Sequence, residues 1–130
     1  MRYHSKNGGT KRLAEAIAQA LGVEAQTADV PLPEMTDVVF LGASLYAGKP
    51  APEVVRFMQR NGDRIGRAVV FGSSASGRST QPQLQVIGAE AGVKVADNYF
   101  HCPGAFLFLH RGRPNAGDCA SAAAFARTQL

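Results

Sequence analysis

The 130-residue sequence contains no apolar run long enough to cross a bilayer, and no charged-then-apolar segment opens it. These absences favour a soluble, cytoplasmic protein. Low-complexity segments and internal repeats are also missing. A chain of this length can form one domain, over residues 1–130, with its own hydrophobic core.

Cysteine is scarce, and the arrangement of the two cysteines excludes several kinds of site. Cys102 and Cys119 have neither a zinc-site spacing nor a Cys-x-x-Cys spacing. We therefore expect reduced, mostly buried thiols and no metal site. The formal net charge of +4 is spread over the chain, and no basic cluster is interleaved with aromatic residues. Nucleic-acid binding accordingly has no support.

Arrangements typical of hydrolytic catalysis are missing too. No Ser-His-Asp set or pair of carboxylates is recognisable. His4, His101 and His110 fall in different predicted elements, and we interpret each of them as structural or solvated. The sequence thus predicts no catalytic residue.

What the sequence does contain is an alternation of strands and helices. Apolar residues at helical spacing, proline in first turns and glycine after last turns predict four helices. These begin near Thr10, Pro52, Thr80 and Asn115. Apolar runs rich in strand formers predict buried strands at Asp37–Gly42 and Arg67–Ser73. Met1–His4 is interpreted as a strand remnant, Val23–Ala28 as a short, weakly alternating strand, and Val93–Cys102 as the last strand candidate. Ala105–Leu109 is interpreted either as an extension of the last strand or as a covering segment. The alternation predicts an α/β sandwich around a mostly parallel sheet.

Three loops should meet at one edge of this sheet. Ser5–Thr10, Ala43–Ala51 and Ser73–Ser79 each follow a predicted strand and consist largely of small, polar or glycine residues. Ligands of open α/β sheets bind outside the carboxyl ends of the strands, where the strand order reverses. The three loops together therefore predict a ligand site lined largely by backbone.

The first loop is suited to a phosphate group. Gly8 and Gly9 allow a tight turn, and the helix after them directs unpaired N–H groups and the positive end of its dipole towards the loop. The spacing is neither that of a P-loop nor that of a dinucleotide fingerprint, which favours a single phosphate over a pyrophosphate. A plain turn with a helix N-cap would use the same residue types, so both interpretations stay open here.

Several segments resemble the flavodoxin family over nearly the whole chain. They are Tyr3-His4-Ser5-Lys6-Asn7-Gly8-Gly9-Thr10, Gly42-Ala43-Ser44-Leu45-Tyr46-Ala47-Gly48-Lys49, Phe71-Gly72-Ser73, His101-Cys102-Pro103-Gly104 and Gly112-Arg113-Pro114-Asn115 with Asp118. The last two look like those of small bacterial flavodoxin-like proteins. The resemblance implies a three-layer α/β sandwich, with a five-stranded parallel sheet of order 2-1-3-4-5 and a shortened first strand.

The resemblance also implies that the ligand is FMN. Its phosphate would be held by Ser5, Asn7, Gly8, Gly9 and Thr10, with Lys6 contributing through its backbone. The loop Ser44, Leu45, Tyr46, Ala47 and Gly48 would run along the isoalloxazine ring, with Tyr46 stacked on one face and the backbone of Ala47 or Gly48 at the ring edge. Ser73, Ser74, Ala75 and Gly77 would approach from the other side.

This sequence departs from the family pattern in three respects. Only Met1 and Arg2 precede Tyr3, where many flavodoxins have a full apolar strand. Either the true start of the chain lies upstream, or the fold tolerates a short first strand. In the second case we expect a loosely held phosphate loop and weak FMN affinity. The loop Ser73–Ser79 lacks the aromatic residue that covers the second ring face in typical flavodoxins, and Arg78 is interpreted as solvated or as lying near the pyrimidine edge. The chain is basic, whereas flavodoxin electron carriers tend to be acidic.

By resemblance we expect an FMN-binding protein that transfers electrons to a partner protein. The alternatives are an FMN-dependent reductase or oxidase, acting on a quinone or a protoporphyrinogen-like small substrate, and a flavin-free binding module that retains the fold. Whether the chain is an enzyme stays open at this point.

Overall fold

A computed structural model describes residues 1–6, 8–105 and 112–130 of the chain. The strands are β1 (Arg2–Tyr3), β2 (Gln26–Thr27), β3 (Thr36–Gly42), β4 (Leu45–Tyr46), β5 (Lys49–Pro50), β6 (Ile65–Ser74) and β7 (Val95–Pro103). The helices are α1 (Gly9–Leu21), α2 (Pro52–Asn61), α3 (Gln81–Ala91) and α4 (Ala116–Thr128), with a single 3-10 turn at Gly62–Arg64. Asn7, the apolar segment 106–109 and His110 lie outside the described residues.

The main sheet has five parallel strands in the order β2-β1-β3-β6-β7. Numbered along the chain within this sheet, that order is 2-1-3-4-5, so the predicted fold class and strand order are confirmed. The strand predicted at Val23–Ala28 is only two residues long, at Gln26–Thr27. Val23 and Glu24 before it are exposed and Ala25 is half-buried, so little apolar burial extends the strand towards its amino end.

The sheet is covered on both faces, because successive strand residues point to opposite sides. Leu41 and Val70 pack with the side chains of α2 and α3 in one core cluster. Phe40, Val69 and Phe71 pack with α1 and α4 in a second cluster. These two cores make the three layers of the sandwich. Within the described ranges, no helix combines the length and the apolar character needed to span a membrane.

The first strand is short, as predicted, and hydrogen bonds beyond its ends hold it between β2 and β3. Arg2 and Tyr3 pair with β2 on one side and with β3 on the other. The ladder continues through His4 N–H, which donates to the Gly42 carbonyl at 3.0 Å. The buried Arg2 guanidinium donates through Nε to the Val30 carbonyl at 2.7 Å, which ties the strand to the following loop.

The second crossover loop contains a hairpin that the sequence did not reveal. Leu45 pairs with Pro50, and Tyr46 pairs with Lys49, in antiparallel register. The two-residue turn between them is Ala47-Gly48, and both residues have positive φ, 52° and 78°. This combination fits the tight turns that match the twist of a hairpin. The sequence predicted a loop over Ala43–Ala51, which is where the structure has the connection from β3 to α2, but two-residue strands give no periodic signal for the hairpin within it.

Both cysteines are free thiols, as predicted, with Cys102 buried and Cys119 half-buried. Burial, followed by the charge of nearby Asp118, raises the pKa of Cys102 to about 12. The helix predicted from Asn115 is also observed. The side chain of Asn115 accepts from the Asp118 N–H while the Asp118 side chain accepts from the Asn115 N–H, which is a reciprocal capping box.

Candidate functional site

The loops after β1, β3 and β6 enclose a cavity of about 680 Å³ at the carboxyl edge of the sheet. Gly104, Ala105, Gly112 and Arg113 contribute another part of its wall. The described lining residues are Ser5, Lys6, Gly9, Thr10, Arg12, Ser44, Leu45, Tyr46, Ala47, Gly48, Ser73, Ser74, Ala75, Ser76, Arg78, Gly104, Ala105, Gly112 and Arg113.

Three buried residues with hydroxyl side chains, one from each loop, join the loops beneath this cavity, and we call them the hydroxyl cluster: Thr10, Ser44 and Ser73. Thr10 Oγ1 lies 2.8 Å from Ser44 Oγ, and Ser44 Oγ donates to the Ser73 carbonyl at 2.6 Å. Because the Ser44 proton is used there, the Thr10 hydroxyl donates to Ser44. Thr10 Oγ1 in turn accepts a long bond, 3.4 Å, from the Ser73 N–H. This chain of hydrogen bonds fixes the spacing of the loops that form the wall.

Glycine is needed at two positions of the first loop for different reasons. Gly8 has φ of +84°, a left-handed conformation, and its N–H donates to Ser5 Oγ at 3.0 Å. At Gly9, a Cβ atom would lie 2.6 Å from Ser73 Oγ and 3.1 Å from Pro114 Cδ. The absence of a side chain therefore allows the start of α1 to approach the end of β6. The first-turn N–H groups of α1, which have no partner within the helix, lie at the cavity wall with Gly9 and Thr10.

Tyr46 connects the second loop to the first. Its hydroxyl accepts from the Lys6 N–H at 3.0 Å, and its ring meets the His4 ring edge-on, with centroids 5.8 Å apart. Lys6 Nζ lies 5.9 Å from the Tyr46 ring centroid. Burial raises the pKa of the Tyr46 hydroxyl, so it stays protonated at neutral pH. The Lys6 amide, expected at the phosphate, is thus engaged by this tyrosine.

The third loop is anchored by a histidine on the neighbouring strand. Ser74 Oγ lies 2.9 Å from His101 Nε2 and also donates to the Arg78 carbonyl at 3.1 Å. The Gly104 N–H donates to the Ser74 carbonyl at 3.0 Å, which brings the end of β7 to the cavity. Burial lowers the pKa of His101, so its ring is neutral at pH 7. The structural interpretation of His101 agrees with these contacts.

Two arginines lie on the wall near the start of α1. Arg12 Nη1 donates to the Pro114 carbonyl at 2.5 Å. Arg113 forms a two-pronged ion pair with Asp118, with Nε to Oδ2 at 2.5 Å and Nη2 to Oδ1 at 2.7 Å. The hydrogen bonds from Arg113 hold the pKa of Asp118 below its usual value. Asp118 compensates the charge of Arg113, whereas among the described residues the Arg12 guanidinium has only the neutral Pro114 carbonyl as a hydrogen-bond partner.

The structure brings most of the residues predicted from the sequence to one cavity. Gly8 and Gly77 are not among the lining residues; both have a positive φ in the loops that form the wall. Asn7 lies outside the described residues. The additional lining residues that were not among the predicted ligands are Arg12, Ser76, Arg78, Gly104, Ala105, Gly112 and Arg113. For Arg12, the helical spacing from Gly9 was a usable signal, since position i+3 lies on the same helix face.

Comparison with known proteins agrees with this architecture. A family model described as a flavodoxin domain matches residues 1–99. A search of curated protein sequences found no significant match. Among solved structures, a flavodoxin from the domain Archaea has a TM-score of 0.73 at 22% identity, covering 96% of this chain and 90% of that one.

Two further structures share the fold at low identity. Oxidised Flavodoxin 2 from Bacillus cereus has a TM-score of 0.64 at 19% identity, with 97% of this chain and 92% of that chain covered. Rubredoxin oxygen:oxidoreductase from Desulfovibrio gigas has a TM-score of 0.71 at 15% identity, with 98% of this chain but 33% of that chain covered.

The matched family model spans well over half of the chain, and the sheet order, the two covered faces and the three loops at one edge agree with it. On this evidence, the protein belongs to the flavodoxin family.

Proposed function

We propose that this protein binds FMN in the cavity at the carboxyl edge of the sheet and transfers electrons to a partner protein. The observation that carries the proposal is the meeting of three loops around one cavity of about 680 Å³. This volume falls within the range of roughly 300–1,000 Å³ that is usual for small-molecule and cofactor sites.

The first loop has the donors that a phosphate group needs. The first turn of α1, which includes Gly9 and Thr10, supplies N–H groups and the positive end of the helix dipole, and Ser5 supplies a hydroxyl at the same wall. Lys6 and Arg12 add positive charge next to these donors. We infer that Ser5, Gly9 and Thr10 contact the phosphate, while Gly8 gives the loop its shape.

The second and third loops would hold the ring system. The Ala47-Gly48 turn exposes backbone groups at the cavity, and Ala47 holds a left-handed conformation that L-residues adopt at a cost of about 1 kcal/mol or more. Tyr46 supplies an aromatic ring beside that turn, and Ser73, Ser74 and Ala75 supply small side chains from the third loop. When bound, FMN supplies the one- or two-electron chemistry, and these groups orient it and restrict its access to water.

A titration of the purified protein with FMN tests the proposal. We expect a saturable change in the flavin absorbance band and quenching of flavin fluorescence. Riboflavin, which lacks the phosphate, serves as the control ligand and should bind at least tenfold more weakly. A protein that takes up no FMN, or that binds riboflavin equally well, would contradict the proposed site and favour a binding module without flavin.

A second candidate function is an FMN-dependent reductase or oxidase with a quinone-like or protoporphyrinogen-like small substrate. The observation in its favour is that Tyr46 is the one aromatic residue on the described part of the cavity wall. The third loop contributes serine and alanine, so one ring face would be left open. Steady-state turnover of a quinone by the FMN-loaded protein supports this candidate, whereas electron transfer to a partner protein without such turnover supports the carrier.

A further inference from the structure

An apolar groove lies directly beside the candidate cofactor cavity. It has a volume of about 540 Å³ and runs between α2, α3 and the β4–β5 hairpin. The Gln83 side chain links the two regions, since its Nε2 donates to the Gly48 carbonyl at 2.9 Å. Val86, in the groove, is 63% exposed. The groove residues are Lys49, Pro50, Val55, Pro82, Gln83, Val86 and Ile87.

The charges around both openings have one sign. Among the described residues that line the cavity and the groove, five are cationic and none is aspartate or glutamate. We call the cationic set the basic rim: Lys6, Arg12, Lys49, Arg78 and Arg113.

Most of the basic rim is electrically uncompensated. Within residues 1–6, 8–105 and 112–130, Arg113 alone of the five forms an ion pair, with Asp118. The other four leave a charge of +4, and a phosphate group with about two negative charges would reduce it to about +2. The rim therefore stays positive when the proposed cofactor is bound.

Acidic residues lie at both edges of the sheet: Glu53 and Asp118 are in the first turns of α2 and α4, near the cavity, and others lie at the opposite edge. Asp37 is the second residue of β3, and Asp63 lies just before β6. In a parallel sheet these amino ends lie at the edge away from the cavity. The positive charge at the cavity thus comes from the five cationic lining residues themselves, and not from a separation of acidic and basic residues between the two edges of the sheet.

We propose that the basic rim and the apolar groove together form the docking surface for an acidic redox protein. Complementary charge would steer the encounter and orient the partner over the cavity, and the exposed apolar residues would supply the contact area. Transient redox complexes typically bury less than about 1,200 Å², so a small groove beside a charged rim is sufficient. The redox role of the partner rests on the proposed function, whereas its acidic character rests on the rim and groove alone.

The test compares two lysine variants in a binding assay that needs no flavin. An acidic plant-type ferredoxin is immobilised as the probe, and cytochrome c, which is basic, serves as the control protein. We expect the ferredoxin to bind at low salt, the cytochrome to bind at least tenfold more weakly, and Lys49→Glu to weaken ferredoxin binding at least fivefold. Lys94→Glu is the matched control, because it makes the same charge change at an exposed site next to the amino end of β7. It should change the affinity less than twofold.

Each other outcome overturns the proposal. Equal losses in the two variants would mean that net charge alone drives binding. Equal binding to ferredoxin and to cytochrome c would contradict the proposal that the partner is acidic. Co-sedimentation with phosphatidylserine vesicles, without binding to ferredoxin, would indicate that the surface binds a membrane instead. FMN uptake is measured on the same samples. A protein that takes up no FMN but binds ferredoxin through Lys49 would refute the proposed function and leave the docking surface intact.

Discussion

Replacing Thr10 and, separately, Thr80 by valine should compare the stability contributed by a buried hydroxyl that has hydrogen-bond partners with that of a buried hydroxyl that has none. Thr10 is 2% exposed, and its hydroxyl contacts Ser44 Oγ and the Ser73 N–H. Thr80 is 1% exposed, and its hydroxyl has no hydrogen-bond partner within the described part of the chain. Threonine and valine have nearly the same shape and are both β-branched, so the two substitutions differ mainly in the hydrogen bonds removed.

The expected magnitudes follow from these contacts. In Thr10→Val, the good bond to Ser44 is lost and the Ser73 N–H loses its acceptor, a cost of about 1–3 kcal/mol that the added methyl offsets by less than about 1 kcal/mol. We expect a net loss of about 1–2 kcal/mol in the free energy of unfolding. In Thr80→Val, a buried polar group without a partner is removed, so we expect no loss and up to about 1 kcal/mol of gain.

Urea denaturation of the flavin-free proteins, followed by circular dichroism, measures both changes. The urea midpoint of Thr10→Val should fall below that of the wild type, and the midpoint of Thr80→Val should stay at the wild-type value or rise above it. The slope of the unfolding free energy against urea concentration should be unchanged in both variants. Thr10→Ser keeps the hydroxyl and should recover most of the loss. If Thr80→Val proved as destabilising as Thr10→Val, the assignment of the hydroxyl cluster as the element joining the loops would be wrong.

Two further outcomes follow from shifted pKa values. The hydrogen bonds from Arg113 lower the pKa of Asp118 in the folded protein relative to its unfolded value of 3.8. The pair therefore stabilises the fold at pH values above 3.8, and this stabilisation is lost as the pH falls through the lower pKa of the folded state. Asp118→Asn should therefore show a flatter decline of stability than wild type below about pH 4 in acid titrations, and parallel curves would contradict this. The Cys102 thiol is buried and has a pKa of about 12. It should therefore react with iodoacetamide at pH 8 more slowly than the less buried Cys119. Intact-protein and peptide mass spectrometry measure the two rates.

The alternation of apolar runs and helical patterns was enough to predict the architecture. Unbroken runs such as Val38-Val39-Phe40-Leu41 are apolar on both sides because strands in a parallel sheet are covered on both faces. The capping box of Asn115 and Asp118 is a local signal that needs no tertiary contact, so the start of α4 was also predictable. The gathering of the first, second and third loops at one edge followed from the parallel order of the strands alone.

The sequence determined the layers and the three loops, because periodicity and local turn chemistry act over a few residues, whereas the strand order was implied by the family resemblance. The tertiary structure alone decided which groups meet within those loops. Thr10, Ser44 and Ser73 join through contacts 29 to 63 residues apart along the chain, and Tyr46 reaches the Lys6 amide across 40 residues. Helical spacing could place Arg12 on the wall, but the approach of Arg113 to it depends on packing between α1 and the segment before α4, and no local pattern encodes that distance.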